Sequence, residues 1–277
     1  MSNPPKKKIK VIMAGSGALY PLYVGGLLAL EEENYDIVSI AGTSGGAIAS
    51  CLWSLTDIKR EQETLIEKIK QTLPVNNKGV VRYSLLHFFR RWGFVKGDNL
   101  ESHFENVFKE RLKEASIPTY LYASNVKRND DVVFSSTLTP ELSTAKALRA
   151  SCSIPFIFDP TSIGDELYVD GGWSYYLPFN AFEHEEDDVS IIGMRIVKTG
   201  SSKFQSSLID YVQRIMYNRI VSKYKVEKIP DSIHMLDFHS SYNRMNLAKT
   251  SEEDAIQIFH EGYKQMKDFV TDAKKNS

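Results

Sequence analysis

Apolar residues along this chain fall into two kinds of run. Short uninterrupted stretches bounded by glycine or polar clusters predict strands at Lys7 to Ala14, Ile37 to Ala41, Tyr120 to Ser124, Val132 to Ser135, Ile163 to Val169, Val189 to Val197 and Ile233 to Phe238. Longer stretches with helical spacing predict helices from Pro21 to Glu33, from Gly45 to Leu55, from a cap at Asp57 to Leu73, and from a cap at Asp98 through Leu112. Further helices are expected from Thr139 or Pro140 to Ala150, from Ser206 to Val221, and from a box-like Ser251-Glu252-Glu253-Asp254 onward. The stretch from Pro74 to Gly97 reads as irregular, rich in aromatic and basic residues. Strands alternating with helices predict an α/β fold: one domain with a mostly parallel central sheet and helices on both faces.

Composition narrows the function. The 277 residues are 42% hydrophobic with a formal net charge of −1, so a large core can form and no global basic excess exists for binding nucleic acid. Cys51 and Cys152 sit among apolar or small residues and read as buried thiols, which suits a reducing, cytoplasmic setting; neither lies in a metal-ligand spacing. The uncharged run Val11 to Leu30, after Lys6, Lys7, Lys8 and Lys10, has the length of a membrane span. Gly15, Gly17, Gly25, Gly26 and Pro21 interrupt it and no cleavage-site pattern follows, so the expectation is a strand, a loop and a helix in a soluble protein. Residues 1–6 are expected to be a flexible tail, and 7–277 one domain on which helices from about 203 onward pack.

Three patterns carry candidate chemistry. Gly42-Thr43-Ser44-Gly45-Gly46 lies where a strand gives way to a helix, with Gly42 and Gly46 making room for a sharp bend that exposes Ser44 to the positive helix end. Gly15-Ser16-Gly17 follows the first strand and precedes a helix. It reads either as a plain tight turn or as an oxyanion-binding loop, and a dinucleotide fingerprint fails because Tyr20 stands where glycine is needed. Leu167-Tyr168-Val169-Asp170-Gly171-Gly172 ends a strand with a carboxylate that could accept the Ser44 proton, and Gly171 and Gly172 remove side chains just after it.

Together with Ala150-Ser151-Cys152-Ser153-Ile154-Pro155-Phe156-Ile157-Phe158-Asp159-Pro160, these motifs occur in an order that resembles the patatin-like phospholipases, over residues 8 to about 200. The resemblance implies a three-layer sandwich and a lipid acyl hydrolase with a Ser-Asp dyad, no catalytic histidine, no metal and no cofactor. Ser44 would be the nucleophile, Asp170 the base, and the N–H groups around Gly15, Ser16 and Gly17 the oxyanion hole. The substrate would be a phospholipid or another acyl lipid met at a membrane surface, with a peripheral cytoplasmic location. Ile154, Pro155, Phe156 and Phe158 are candidates for an acyl channel or for plain core. Tyr83 to Phe94, with Arg90 and Arg91, reads either as a lipid-facing segment or as a buried loop. Ser16 stands where the family usually has a central glycine, Leu19 and Tyr20 where it has arginine and glycine, and Tyr175 and Tyr176 where asparagine is frequent. Two rivals stay open: a Ser-Asp-His esterase using His184, His234, His239 or His260, and a non-catalytic lipid-binding protein with the same fold. A carboxylate base with an ordinary pKa predicts activity that persists below pH 6.

Overall fold

Strand β1, Lys7–Met13, is apolar from Ile9 onward apart from Lys10, and every residue from Ile9 to Met13 is buried. It lies between two parallel partners, the setting in which strands are commonly covered on both faces. In this computed structural model, which describes residues 5–55, 60–74, 80–185, 188–198, 200, 207, 208, 210–212, 214–216, 218, 229–243 and 249–275, β1 pairs with β2 (Tyr35–Thr43) on one side and β9 (Ile191–Lys198) on the other. β10 (Ile233–His239) extends the sheet beyond β9, and β4 (Thr119–Asn125) beyond β2, all in parallel. β5 (Asp130–Ser135), β8 (Glu166–Asp170) and β7 (Thr161–Ile163) form the antiparallel end of this eight-stranded sheet. The Tyr120 to Ser124 and Val132 to Ser135 strands therefore pair as a hairpin around the polar turn.

The order of pairing along β4 decides where the site forms. β5 runs the length of β4 on one flank, from Tyr120↔Ser135 to Asn125↔Asp130. The opposite flank is shared: β2 ascends it to Thr43↔Tyr122, and β8 descends it to Ala123↔Asp170. Two strands thus meet head to head in one lane of the sheet.

Helix α1 (Tyr20–Glu32) is buried from Tyr20 to Leu30, so the uncharged run that begins at Val11 is β1, a 3-10 turn (Gly17–Leu19) and α1. Among the described residues no helix is long and apolar enough to cross a membrane. α2 (Gly45–Ser54) is buried throughout and α3 (Gln62–Thr72) on one face; the expected Asp57 cap lies outside the described residues. α5 (Gly97–Val107) starts after Lys96, so Asp98 sits in its first turn rather than at its cap, and Leu112 belongs to a separate turn. α6 (Thr144–Ser151) begins later than expected. The expected strand from Ile163 is split by the turn at Gly164 into β7 and β8.

Among the described residues of the Pro74 to Gly97 stretch, two regular elements stand where composition suggests irregular chain. They are α4 (Leu85–Arg91) and β3 (Gly93–Val95), and β3 pairs with β6 (Phe156–Phe158) in a small second sheet. Of the helix expected over 206–221, residues 208, 210–212, 214–216 and 218 are helical, and the positions between and after them lie outside the described residues. The last helix, α7 (Glu252–Lys275), is capped as its sequence predicts: Asp254 N–H donates to Ser251 Oγ (3.1 Å) and Ser251 N–H to Asp254 Oδ2 (3.3 Å). α7 crosses α1 at two glycines, where a Cβ on Gly25 would lie 2.0 Å from the Phe259 carbonyl oxygen and one on Gly262 1.9 Å from that of Leu22.

Candidate active site

Ser44 occupies the single residue between β2 and α2, with φ 53° and ψ −119°. A side chain in that backbone region costs on the order of 1–3 kcal/mol and persists only where neighbours over-determine it. They do so by close approach. A Cβ on Gly42 would lie 2.2 Å from the Gly46 carbonyl, and one on Gly46 would lie 2.5 Å from the Met13 carbonyl oxygen, so strand, bend and helix fit only with hydrogens there. Ser44 is buried yet lines a cavity, and it stands at the N-terminus of α2, where the helix dipole favours negative charge.

The shared lane beside β4 brings Asp170 to Ser44. The Ser44 hydroxyl lies close enough to the Asp170 carboxylate to favour its ionised form, and the N–H of Gly172 donates to Asp170 Oδ1 at 2.8 Å. Asp170 is 2% exposed, and this burial pushes its carboxyl up from 3.8 to about 6, although the Ser44 hydroxyl and the Gly172 N–H pull the other way. Persistence of activity well below pH 6 is therefore no longer expected of an Asp170 base. Its titration falls beside that of an ordinary imidazole, and a pH profile alone does not separate the two.

A segment whose role composition could not suggest ties the pair together. Ser151 Oγ, at the end of α6, accepts the Ser44 N–H (3.0 Å) and donates to the Tyr122 carbonyl (2.6 Å), while the Ser153 carbonyl accepts the Asp170 N–H (2.9 Å). Two residues apart, Ser151 and Ser153 hold the backbones on both sides of the hydroxyl–carboxylate contact. The Cys152 side chain between them also reaches the Ser44 hydroxyl; burial, helped by the Asp170 charge, pushes its thiol pKa well up. Arg149, buried on α6, bonds Ser153 Oγ, the Asp159 carbonyl (2.6 Å) and Asp159 Oδ1 (2.9 Å), fixing this segment to the small sheet. The sequence signal was a serine-rich run after a short helix, visible only through family resemblance.

β1 and β2 are parallel neighbours, so the loops that follow them emerge at one sheet edge. A Cβ on Gly15 would lie 3.7 Å from the Ser44 Cβ. Its N–H, however, is spent on the Tyr176 carbonyl at 3.2 Å. No acceptor among the described residues takes the N–H of Ser16 or Gly17, and the Gly17 nitrogen would lie 3.1 Å from a Cβ on Gly45, the residue after Ser44. Ser16 adopts φ −127°, which any residue tolerates, and leaves the positive φ of 57° to Gly17. Its side chain is fully buried.

From Ser44 an apolar slot runs into the fold, enclosing about 590 Å³ with its open mouth included. Ile48, Leu73, Val81, Leu100, Phe104, Ile154 and Phe158 line it. Of the four acyl-channel candidates, Ile154 and Phe158 form wall, whereas Pro155 and Phe156 stand outside it and Phe156 is exposed. Tyr20 also lines the slot, where its hydroxyl bonds Thr72 Oγ1 at 2.6 Å. Tyr176, over Gly15, is buried as well.

The carboxylate of Asp170 has the Ser44 hydroxyl and the Gly172 N–H beside it, and no histidine among the described residues. His87 faces Asp159 Oδ2 at 3.4 Å and His103 the Thr72 carbonyl at 3.0 Å. His184, His234 and His239 are exposed, and His260 packs on Phe259.

A mostly parallel α/β sheet that brings a serine bend and a buried carboxylate side by side at the point where its antiparallel end begins defines the class of fold. The chain belongs to the patatin-like phospholipase family, whose profile matches residues 11–182, more than half its length. It is 25% identical over 201 residues to the uncharacterized protein R571 of Acanthamoeba polyphaga mimivirus, covering 67% of each chain. It is 27% identical over 199 residues to the uncharacterized protein YqhO of Bacillus subtilis, covering 63% of this chain and 66% of that one. The probable lipid hydrolase 463L of Invertebrate iridescent virus 6 is 24% identical over 183 residues, covering 61% and 62%. Each match spans about two thirds or less of the relative's own length. Among solved structures, VipD from Legionella pneumophila superimposes with a TM-score of 0.53 at 15% identity, over 97% of this chain and 67% of that one, and so shares the fold.

Proposed function

We propose that this chain is a lipid acyl hydrolase that cleaves fatty-acyl esters of phospholipids or related lipids, with Ser44 as nucleophile and Asp170 as base. The observation that carries the reading is the approach of the Ser44 hydroxyl to the buried Asp170 carboxylate, with Ser44 lining an apolar slot. Family membership and the name of the iridescent-virus relative support the substrate class.

In this reading the acyl chain lies in the slot and presents its ester carbonyl to Ser44. Ser44 Oγ bonds to the carbonyl carbon as its proton passes to Asp170, and the carbonyl oxygen becomes an oxyanion. The free N–H groups of Ser16 and Gly17, with the N-terminus of α2, are the donors available for it; Gly15 serves by its lack of a side chain. Collapse breaks the carbonyl carbon–alkoxy bond, and the leaving alcohol takes the proton from Asp170. Water then attacks the acyl-serine, Asp170 accepts its proton, and release of the fatty acid returns a proton to Ser44. A carboxyl titrating near 6 is better matched to this work at neutral pH than an exposed aspartate would be.

The test is a lipid panel incubated with the native chain, Ser44→Ala and Asp170→Asn, with free fatty acids read by mass spectrometry. Release by the native chain and loss in both variants is the expected result. Release that survives Ser44→Ala sinks the proposal.

A further inference from the structure

Helix α4 has an unusual surface. None of its seven residues is buried, although four are Leu85, Leu86, Phe88 and Phe89. Its N-terminus is fixed by Ser84 Oγ, which accepts the His87 N–H at 3.2 Å. Its inner side is held by His87 against Asp159 and by Phe88, whose ring stacks on Phe94 at 4.4 Å. The outer side carries Leu85, Phe89 and Trp92, spaced i, i+4 and i+7, with exposures of 58%, 78% and 64%, and Leu86 beside them at 61%.

Two of the aromatic residues here are held in costly backbone. Trp92, closing α4, has φ 65°, and Phe156 has φ 66°. Bulky residues rarely adopt that region, where glycine or asparagine is the usual occupant of a helix end. The two are neighbours, because Gly93, next to Trp92, pairs with Phe156 across β3 and β6, and the Phe156 ring lies 6.4 Å from that of Phe88. Both point outward where a core would have drawn them in. Around them stand Arg82, Arg90, Arg91 and Lys96, all exposed and none in an ion pair among the described residues; Asp98 is the exposed acid on the same stretch. Val81 and Phe158, which bracket this patch in sequence, line the acyl slot.

We infer that α4, Trp92 and Phe156 form a docking surface for an anionic lipid bilayer, with the aromatic and leucine side chains entering the interface and the four cations meeting phosphate or carboxylate headgroups. An apolar ridge rimmed by unpaired positive charge on a chain of net charge −1 matches that surface in polarity and sign. The inference deepens the lipid-hydrolase reading and rests on it for the reason the slot should open toward a membrane.

The full chain carrying Ser44→Ala, which binds without hydrolysing, is sedimented with phosphatidylcholine vesicles and with vesicles of phosphatidylcholine mixed with phosphatidylserine. Tighter binding to the anionic vesicles is expected. Phe89→Ser with Trp92→Ser should lower partitioning at least about tenfold on both, and Arg90→Gln with Arg91→Gln about thirtyfold on the anionic ones alone. Trp92→Gly supplies a control for folding: it relieves the backbone, so its melting temperature should hold or rise while vesicle binding falls. Unchanged binding in these variants overturns the inference, as does the absence of vesicle binding, which would give the patch to a protein partner. In the Ser44-intact chain, turnover of a dispersed short-chain ester separates the two readings. Ester turnover without vesicle binding refutes the docking surface and leaves the hydrolase; patch-dependent binding without any turnover does the reverse.

Discussion

Replacing Asp170 by asparagine keeps the shape of the side chain and its ability to accept the Gly172 N–H, and removes one buried titration. In the folded chain the carboxyl titrates near 6, and in the unfolded chain near 3.8. The folded state therefore holds its proton more tightly, and stability is greatest below about 3.8 and declines as pH rises through about 6. At about 1.4 kcal/mol per pH unit, the ionised carboxylate costs the fold about 3 kcal/mol once both states are deprotonated. Asparagine carries no such cost. Between pH 4 and pH 7.5 the stability of Asp170→Asn relative to the native chain should grow by about 2.4 kcal/mol. For 277 residues, at about 2.1 cal/mol/K each, this is a widening of about 4 °C in melting temperature. Calorimetry of both chains at the two pH values measures it, and all other titrating groups cancel in the difference. A gap that stays constant within about 1 °C would refute the buried, proton-retaining carboxyl, and with it the argument that links burial to the base.

The same carboxyl predicts that kcat/KM falls about tenfold per pH unit below 6, and that alanine at His184, His234, His239 or His260 leaves this profile in place. Loss of activity in one of those alanine variants while Asp170→Asn survives would favour a triad. Ser151→Ala removes the acceptor of the Ser44 N–H, so kcat should drop about tenfold or more with KM little changed, and Ser151→Thr should restore part of it. Gly262→Ala drives a Cβ into the Leu22 carbonyl and should lower stability by about 3 kcal/mol or more, measured by urea unfolding; a loss under about 1 kcal/mol would show that the α1–α7 crossing yields easily.

Much of the fold was legible where burial is two-sided and runs are long. Ile9 to Met13, Ile37 to Ala41 and Val189 to Val197 read as strands because a parallel strand covered by helices has no reason to alternate. The C-terminal helix announced itself by Ser251 and Asp254. What stayed hidden has physical causes. α4 turns its leucines and Phe89 outward, so its composition reads as a buried or irregular stretch. β3, β6 and β7 are three residues long, too short for any period. Asp98 offers the chemistry of a cap, yet α5 begins one residue before it.

At the site, Ser44, Asp170 and the glycines stood out because sharp bends leave a mark in sequence. Three things did not. The head-to-head meeting of β2 and β8 depends on pairing along β4. The Ser151 and Ser153 contacts depend on the path of a loop. The upward drift of the Asp170 carboxyl depends on how completely the fold excludes water, which no local pattern records.

The family profile stops at residue 182, whereas the paired glycines Gly25 and Gly262 let a helix seventy residues further on lie directly against the main chain of α1. α1 is the continuation of the Gly15–Gly17 loop, so whatever steadies that helix also steadies the loop beside Ser44. α7 thus works as a splint for α1, and a fragment trimmed to the matched region would keep Ser44 and Asp170 in sequence while losing that brace.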